Sequence, residues 1–315
     1  MKPLLIVFMG TPDFAVASLR KLIDNSCDVV GVVTAPDRPA GRGRKIKGSP
    51  VKEYAISQGL PVLQPQKLKD PDFLEELQSL EADLFVVVAF RMLPAAVWQM
   101  PKYGTFNLHA SLLPDYRGAA PINWAIINGE TQSGVTTFFI DDKIDTGAII
   151  YQESTAISEE SNAGDLHDLL MDQGADLVLK TGRAIANGEA ESKVQAEEGN
   201  LKPAPKIHKE TCEIDWKKPG KQIYNHIRGL SPYPTAWTRL ENGTETIGLK
   251  IYSAVFLPAN HQLKIGSIIA TKKDLKVVVS DGYLQLLEMQ LAGKRKMHVL
   301  DLLNGLNLEK NAQMV

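Results

Sequence analysis

Two polar side chains stand at the end of a short apolar run in the first half of the sequence. Asn107 and His109 are two residues apart, so an extended strand directs the amide and the imidazole to the same face. Ser, Pro, Asp and Gly over residues 111–118 then predict a shaped loop. Polar groups at the end of an apolar strand are where an open α/β sheet usually carries its chemistry.

A carboxylate extends this set. Asp145 closes an acidic cluster with Asp141 and Asp142, and it follows His109 by 36 residues (145 − 109). That spacing is about the length of a strand-helix-strand return, so we expect the amide, the imidazole and the carboxylate to meet at one sheet edge. On the residues alone, a structural role for His109 is as open as a catalytic one.

Other kinds of site have little support. The first glycine turn, at Gly10, lacks the G-x-G-x-x-G spacing, and GRKIKGS at 43–49 has no lysine before its serine. The six histidines form no H-E-x-x-H pair, and Cys27 and Cys212 have no C-x-x-C partner. We therefore expect no dinucleotide site, no P-loop, no metal and no disulfide framework.

The composition is that of a globular protein with two domains. The chain has 315 residues, 44% hydrophobic and 23% charged, and its N-terminal apolar run is a first strand rather than a membrane segment. We expect a cytoplasmic monomer with no membrane partner. Residues 1–206 carry 20 basic and 27 acidic groups (−7), and residues 207–315 carry 15 and 10 (+5). The basic second half suggests a polyanionic partner, although an ordinary solvated surface explains the charge equally well.

Strands that are apolar at every position predict a mainly parallel, Rossmann-like α/β sheet covered by helices on both faces. We place this domain at 1–188. The predicted strands are 4–8, 27–33, 60–63, 84–89, 105–108, 134–139 and 148–152, and the predicted helices are 51–58, 72–80 and 164–186. A polar segment rich in Gly and Pro marks a linker at 189–206. Beyond it, a helix at 221–230 and short strands at 245–255, 267–271, 276–279 and 283–289 predict a small OB-like β-barrel over 207–315.

A basic loop lies between the second and third predicted strands. Its sequence, DRPAGRGRKIK at 37–47, carries five cations and one acid, and its two glycines and one proline exclude a regular helix. Such a loop can close on a phosphate backbone. A solvated charge run is the alternative.

The stretch NLHASLLPDYRGAAPINWAIINGE, followed by GVTTFFIDDKIDTGAII, resembles the folate-dependent formyltransferases, whose shared pattern is N-x-H, S-L-L-P-x-x-R-G and the aspartate of D-T-G. Three further segments narrow the resemblance to the branch that acts on methionyl initiator tRNA. These are MGTPDFAVASL, TAPDRPAGRGRKIKGSPVK, and the pair PKIHKETCEIDW and IRGLSPYPTAW. The resemblance covers almost the whole chain.

The resemblance implies that the formyl group of 10-formyltetrahydrofolate passes to the α-amine of methionine on initiator tRNA, for translation initiation, with no metal. It assigns catalysis to Asn107, His109 and Asp145, with the amide and the imidazole as oxyanion donors. Asp145 either fixes the protonation of the imidazole or carries the amine proton to the departing N10 through a water, and both roles stay open here. The implied folate-binding residues are Phe90, Met92, Leu93, Ser111, Leu112, Leu113 and Pro114, and for the first three core packing is the alternative. The implied tRNA-binding residues are Arg38, Arg42, Arg44, Lys45 and Lys47.

Two other functions compete with this one. In the first, the same formyl transfer uses a sugar amine, glycinamide ribonucleotide or water as the acceptor. Such a small acceptor needs neither the basic loop nor the basic barrel. A non-catalytic RNA-binding protein on the same scaffold is the second alternative. The presence of Asn107, His109 and Asp145 together speaks against it.

Overall fold

A computed structural model describes residues 4–40, 45–196 and 199–315, with the side chains of 40, 45 and 46 left out. Contacts divide the chain into two compact units. Unit 1 comprises residues 1–118, 133–155 and 167–203, and unit 2 comprises 119–132, 156–166 and 204–315. Among the helices that the structure describes, none combines the length and the apolar composition needed to cross a membrane.

The first half of the chain alternates strands and helices, as predicted. The elements are β1 (Leu5–Gly10), α1 (Asp13–Asp24), β2 (Asp28–Val33), β3 (Arg38–Ala40), β4 (Lys45–Lys47), α2 (Pro50–Ser57), β5 (Val62–Leu63), α3 (Pro71–Ser79), β6 (Leu84–Val88), α4 (Ala95–Trp98), β7 (Thr105–His109), β8 (Arg117–Gly118), α5 (Pro121–Ile127), β9 (Gln132–Phe139), β10 (Ile149–Ala156) and α6 (Ala163–Asn187).

Seven strands of the described chain form one sheet in the order β10-β9-β7-β6-β1-β2-β5. The pairs from β7 through β6, β1 and β2 to β5 are parallel, so the predicted mainly parallel sheet is confirmed. Every residue of β6 is buried, because a strand with helices on both faces has no solvent side. Helix starts are set locally: Ser49 and Asp70 each accept a backbone N–H at the N-terminus of α2 and α3.

Strand β9 departs from the expected pattern, because it runs antiparallel to β7. The helix before it, α5, is not a crossover helix of a parallel unit. It packs on a later helix of unit 2, where Asn123 donates to the carbonyl of Gly229 at 2.7 Å. A Cβ at Gly229 would lie 2.6 Å from the Ile127 side chain, so glycine permits this close approach.

The second half of the chain is a small antiparallel barrel. Its elements are β11 (Pro203–Ala204), a 3₁₀ turn (Glu210–Cys212), α7 (Gly220–Leu230), β12 (Ala236–Asn242), β13 (Glu245–Pro258), β14 (Ile268–Ala270), β15 (Leu275–Val279), β16 (Gly282–Leu291), β17 (Met297–His298), α8 (Val299–Leu303) and β18 (Gln313–Met314).

The barrel strands run in the order β14-β15-β16-β13-β12-β18. A bridge between Ser267 and Gln313 joins the two edges, which makes the barrel nearly closed and confirms the OB-like prediction. We did not predict β12, although its alternating burial from Ala236 to Leu240 is typical of a half-buried strand. The core of this unit includes Trp216, Ile251 and Leu286.

Gly134 and Gly182 give a matched stability test, because neither has a left-handed backbone conformation and only one of them is closely packed. A Cβ at Gly134 would lie 2.2 Å from the carbonyl oxygen of Glu153, whereas one at Gly182 meets nothing within 4 Å. We expect Gly134→Ala to lower the free energy of unfolding by about 3 kcal/mol or more, because backbone atoms must move. Gly182→Ala, inside helix α6, should raise it by about 0.5–1 kcal/mol. Urea unfolding followed by circular dichroism measures both, and equal midpoints would contradict the packing.

The buried Nε2 atom of His226, in α7, gives a pH test. Burial lowers the pKa of His226 from 6.5 to about 4, and its Nε2 has no hydrogen-bond partner among the described residues. As the pH falls, the unfolded chain therefore binds a proton at His226 before the folded chain does. The free energy of unfolding is highest above pH 6.5 and decreases by up to about 3 kcal/mol as the pH falls toward 4. His226→Leu should flatten this part of the urea-midpoint curve between pH 7 and 4.5. A curve that keeps its slope in the variant would show that other groups cause it.

Candidate active site

The site is built on strand β7. Its C-terminal residues pair with Val88 of β6 through Leu108 and with Thr136 of β9 through His109. Asn107 and His109 lie in this strand two residues apart, so they share one face of the sheet. Asn107 is partly exposed, and no described residue forms a hydrogen bond with its side chain.

The ring of His109 is only 7% exposed. Its Nε2 donates to the carbonyl of Tyr116 at 2.8 Å. A carbonyl can only accept, so the neutral ring carries its proton on Nε2 and keeps a lone pair on Nδ1. Nδ1 faces the Oδ2 atom of Asp145 at 3.8 Å.

Asp145 reaches His109 by a route that we did not predict. Because β9 is antiparallel, its last residue, Phe139, lies beside Phe106 at the far end of β7. The strand-helix-strand return expected from the 36-residue spacing is therefore wrong, and the loop at 140–148 instead folds back toward His109. Asp145 adopts a φ of 56°, and its Oδ2 accepts the backbone N–H of Gly118 at 2.9 Å. Aspartate tolerates this left-handed conformation better than most residues.

Sequence reasoning missed Gln195, which holds this loop in place. Its Nε2 donates to the carbonyls of Asp145 at 3.0 Å and Gly147 at 2.8 Å, and its Oε1 accepts from Arg117. Gln195 is 5% exposed although it lies in the polar segment at 189–206. One glutamine in a polar stretch carries no local signal, so only the tertiary structure reveals this role.

Thr136 and Gln152 hold the loop that follows His109. The Thr136 hydroxyl donates to the carbonyl of Ser111 at 2.6 Å and accepts the N–H of Leu113 at 3.2 Å. Gln152 Nε2 donates to the carbonyl of Leu113 at 2.8 Å and to the Thr136 hydroxyl at 3.0 Å. With three of its backbone groups fixed, the loop at 111–114 has a defined shape.

The residues expected to bind folate differ in exposure. Ser111 and Leu113 are buried. Leu93 packs in the core with Val97, and Phe90 packs against the same core. Met92 is 67% exposed. Leu112 and Pro114 are partly exposed.

The basic loop forms a short hairpin in which Arg38 of β3 pairs with Lys47 of β4. Both residues are exposed. Arg42 and Arg44 lie outside the described residues, as does the side chain of Lys45. The base of the hairpin is fixed by Asp37, which accepts from Lys52 at 2.6 Å and Gln64 at 2.7 Å. These two hydrogen bonds lower the pKa of Asp37.

No group of three or more His, Cys, Asp or Glu side chains in the described ranges is arranged to hold a metal ion. The site therefore presents an amide, an imidazole and a carboxylate, which can donate hydrogen bonds and carry a proton.

Comparison with protein families identifies the class of this site. The formyl transferase model matches residues 2–181, and the formyl transferase C-terminal domain model matches residues 206–307. The chain belongs to the formyl transferase family.

Its full-length relatives define a narrower group within this family. One from Flavobacterium johnsoniae is 55% identical over 314 residues, and one from Flavobacterium psychrophilum is 54% identical over 315 residues, with 100% of each chain covered. A third, from Parabacteroides distasonis, is 56% identical over 95% of each chain. All three are methionyl-tRNA formyltransferases, and within the family the chain groups with them.

Two solved structures share the fold. A sugar 3N-formyl transferase, determined with dTDP and 5-N-formyl-THF, has a TM-score of 0.65 at 22% identity, covering 94% of this chain and 100% of its own. HypX from Aquifex aeolicus, in complex with tetrahydrofolic acid, has a TM-score of 0.63 at 17% identity, covering 95% of this chain and 46% of its own.

Gln195→Ala tests the support of the Asp145 loop. The change leaves two carbonyls and a guanidinium without their partner, which costs about 1–3 kcal/mol. We expect formyl-transfer turnover to fall about tenfold, because Asp145 loses its fixed position beside His109. Steady-state kinetics measure this effect, and Gln78→Ala, at an exposed position of α3, is the matched control. Wild-type turnover in Gln195→Ala would limit its role to folding.

Proposed function

We propose that this protein transfers the formyl group of 10-formyltetrahydrofolate to the α-amine of methionyl initiator tRNA. The observation that carries this proposal is the identity with methionyl-tRNA formyltransferases over the full chain. The site agrees with it, since a neutral amine attacks without help from an enzyme nucleophile. A free α-amine has a pKa of about 8, so part of it is already neutral at pH 7.

We expected the His109 imidazole to donate to the oxyanion, but the one N–H of the neutral ring is directed at the Tyr116 carbonyl, so we propose instead that His109 moves the amine proton. Its Nε2–H is held by the Tyr116 carbonyl, so Nδ1 has the lone pair that accepts a proton when the amine bonds to the formyl carbon. The resulting imidazolium lies beside the Asp145 carboxylate, 3.8 Å away, which stabilises the positive charge. Nδ1 then returns the proton to N10 of the folate as the bond from N10 to the formyl carbon breaks. Positioned acid-base groups of this kind contribute about 10²- to 10⁴-fold to a rate.

Asn107 is suited to bind the oxyanion. Attack on the formyl carbon places a negative charge on the formyl oxygen. The Asn107 amide is partly exposed and has no hydrogen-bond partner in the described chain, so it can donate to that oxygen without breaking a contact. Such a donor is worth about 3–4 kcal/mol in the transition state.

The co-substrate supplies the formyl group, and this chain has residues to hold it. The backbone of the loop at 111–114 is fixed by Thr136 and Gln152. We propose that it holds the pterin, with exposed Met92 and the ring of Phe90 beside it. Leu93 contributes through the core against which Phe90 packs.

The acceptor requires a larger surface. We propose that Arg38 and Lys47 of the hairpin, with Arg42, Arg44 and Lys45, contact the acceptor end of the tRNA. The barrel at 207–315 would bind backbone phosphates, the catalytic domain would span 1–188, and 189–206 would connect them. Family matches ending at 181 and beginning at 206 support these boundaries. We infer a cytoplasmic monomer, because one chain contains both the transfer site and the basic surfaces.

A transfer assay tests this function. The protein is incubated with 10-formyltetrahydrofolate labelled in the formyl group and with methionyl initiator tRNA, and label is expected on methionine. His109→Ala should bind this tRNA with unchanged affinity and lose about 10²- to 10⁴-fold in turnover. Elongator methionyl-tRNA and a sugar amine serve as alternative acceptors. Tight tRNA binding without labelled methionine would favour an RNA-binding protein, and near-wild-type turnover in His109→Ala would reject its catalytic role.

A further inference from the structure

Two segments of the sequence are not used by the formyl-transfer chemistry, namely PKIHKETCEIDW at 205–216 and IRGLSPYPTAW at 227–237. In unit 2 they line one cavity of about 690 Å³. The first segment contributes His208 and Lys209, and the second contributes Tyr233 and Trp237. Lys250 of β13 adds a further wall residue.

Tyr233 is the more exposed of the two aromatic side chains of this cavity, since Trp237 is half-buried and packs in part against the core of unit 2. Tyr233 is 81% exposed, and the prolines on either side of it restrict its backbone. Thr235 further fixes the turn by donating to the carbonyl of Pro232 at 2.7 Å. Trp237 is held by its ring N–H, which donates to the carbonyl of Lys209 at 2.8 Å. Folding gains little from an aromatic ring left in water, whereas such a ring on a rigid turn is a ready surface for stacking.

The charge of the cavity wall is positive. Its described lining includes Lys209 and Lys250 but neither Asp nor Glu. Lys209 Nζ lies 5.7 Å from the centre of the Trp237 ring. Lys250 Nζ lies 3.5 Å from the carbonyl of Pro234, and neither lysine forms an ion pair with a described carboxylate. A ligand that joins a flat ring to an anion is complementary to this wall.

We propose that the cavity binds one unstacked nucleotide of the tRNA, with its base against Tyr233 and Trp237 and its phosphate beside Lys250 and Lys209. This inference rests on the proposed function, since it concerns how the same tRNA is held. Unpaired RNA bases bind to proteins by stacking on aromatic side chains, and lysines neutralise the adjoining phosphates. Leu249 and Leu291 give the base an apolar floor.

Stacking and charge have different salt dependence, which makes the inference testable. Affinity for methionyl initiator tRNA is measured from 50 to about 300 mM salt for the wild type, Tyr233→Ala, Tyr233→Phe and Lys250→Ala. We expect Tyr233→Ala to weaken binding about 5- to 150-fold, the usual effect of losing one base stack, with an unchanged salt slope. Tyr233→Phe should restore the affinity. Lys250→Ala should reduce the salt slope by about one.

Lys69→Ala is the matched control for charge, because Lys69 is an exposed lysine of unit 1 that neither lines the cavity nor belongs to a surface assigned to the tRNA. Lys69→Ala should leave the affinity and the salt slope at their wild-type values. Wild-type affinity in Tyr233→Ala would overturn the inference. A loss of self-association in that variant, with tRNA binding intact, would assign the cavity to a second copy of the chain and would also overturn it. If the wild type formylates tRNA while either result holds, only the cavity assignment fails.

Discussion

The contact on which the site depends is that between Asp145 and His109. Their side chains are 16% and 8% exposed, and a buried carboxylate is stable only when hydrogen bonds or a charge replace its lost water. Gly118 supplies one such bond to Oδ2, and Gln195 fixes the backbone of the same residue. The chemistry of His109 therefore requires a loop, a two-residue strand and a distant glutamine to be in place together.

The same requirement determines which nitrogen of His109 is reactive. The Tyr116 carbonyl accepts from Nε2, so the lone pair of the neutral ring is on Nδ1, the atom that faces Asp145. Thr136 contributes in two ways, since it pairs with His109 in the sheet and its hydroxyl fixes the loop at 111–114. One antiparallel strand thus positions both His109, for which we propose proton transfer, and the loop that we propose for folate. Asn107 is left as the polar group without a described partner, and it is the one assigned to the substrate.

Helices and strands were predictable from the sequence where apolar residues recur at a regular spacing along the chain. The all-apolar strands β1 and β6 identified a parallel sheet, and the apolar stripe of α3 placed its helix to within one residue. The direction of β9 was not predictable from spacing. A helix between two strands indicates a crossover only if it covers that sheet, whereas α5 packs on α7 through contacts more than 100 residues apart in sequence. Long-range packing overrides local pattern in such cases.

The sequence by itself determined the family, because the motifs around Asn107, His109 and Asp145 can be recognised without knowing how the chain folds. It also determined the alternating elements of the first half and the basic charge of the second. Only the tertiary structure decided how Asp145 reaches His109, which ring nitrogen is free, that Gln195 supports the site, and that two distant motifs form one cavity. Each of these results depends on contacts between residues far apart in sequence, and such contacts leave no periodic or compositional trace in a single chain.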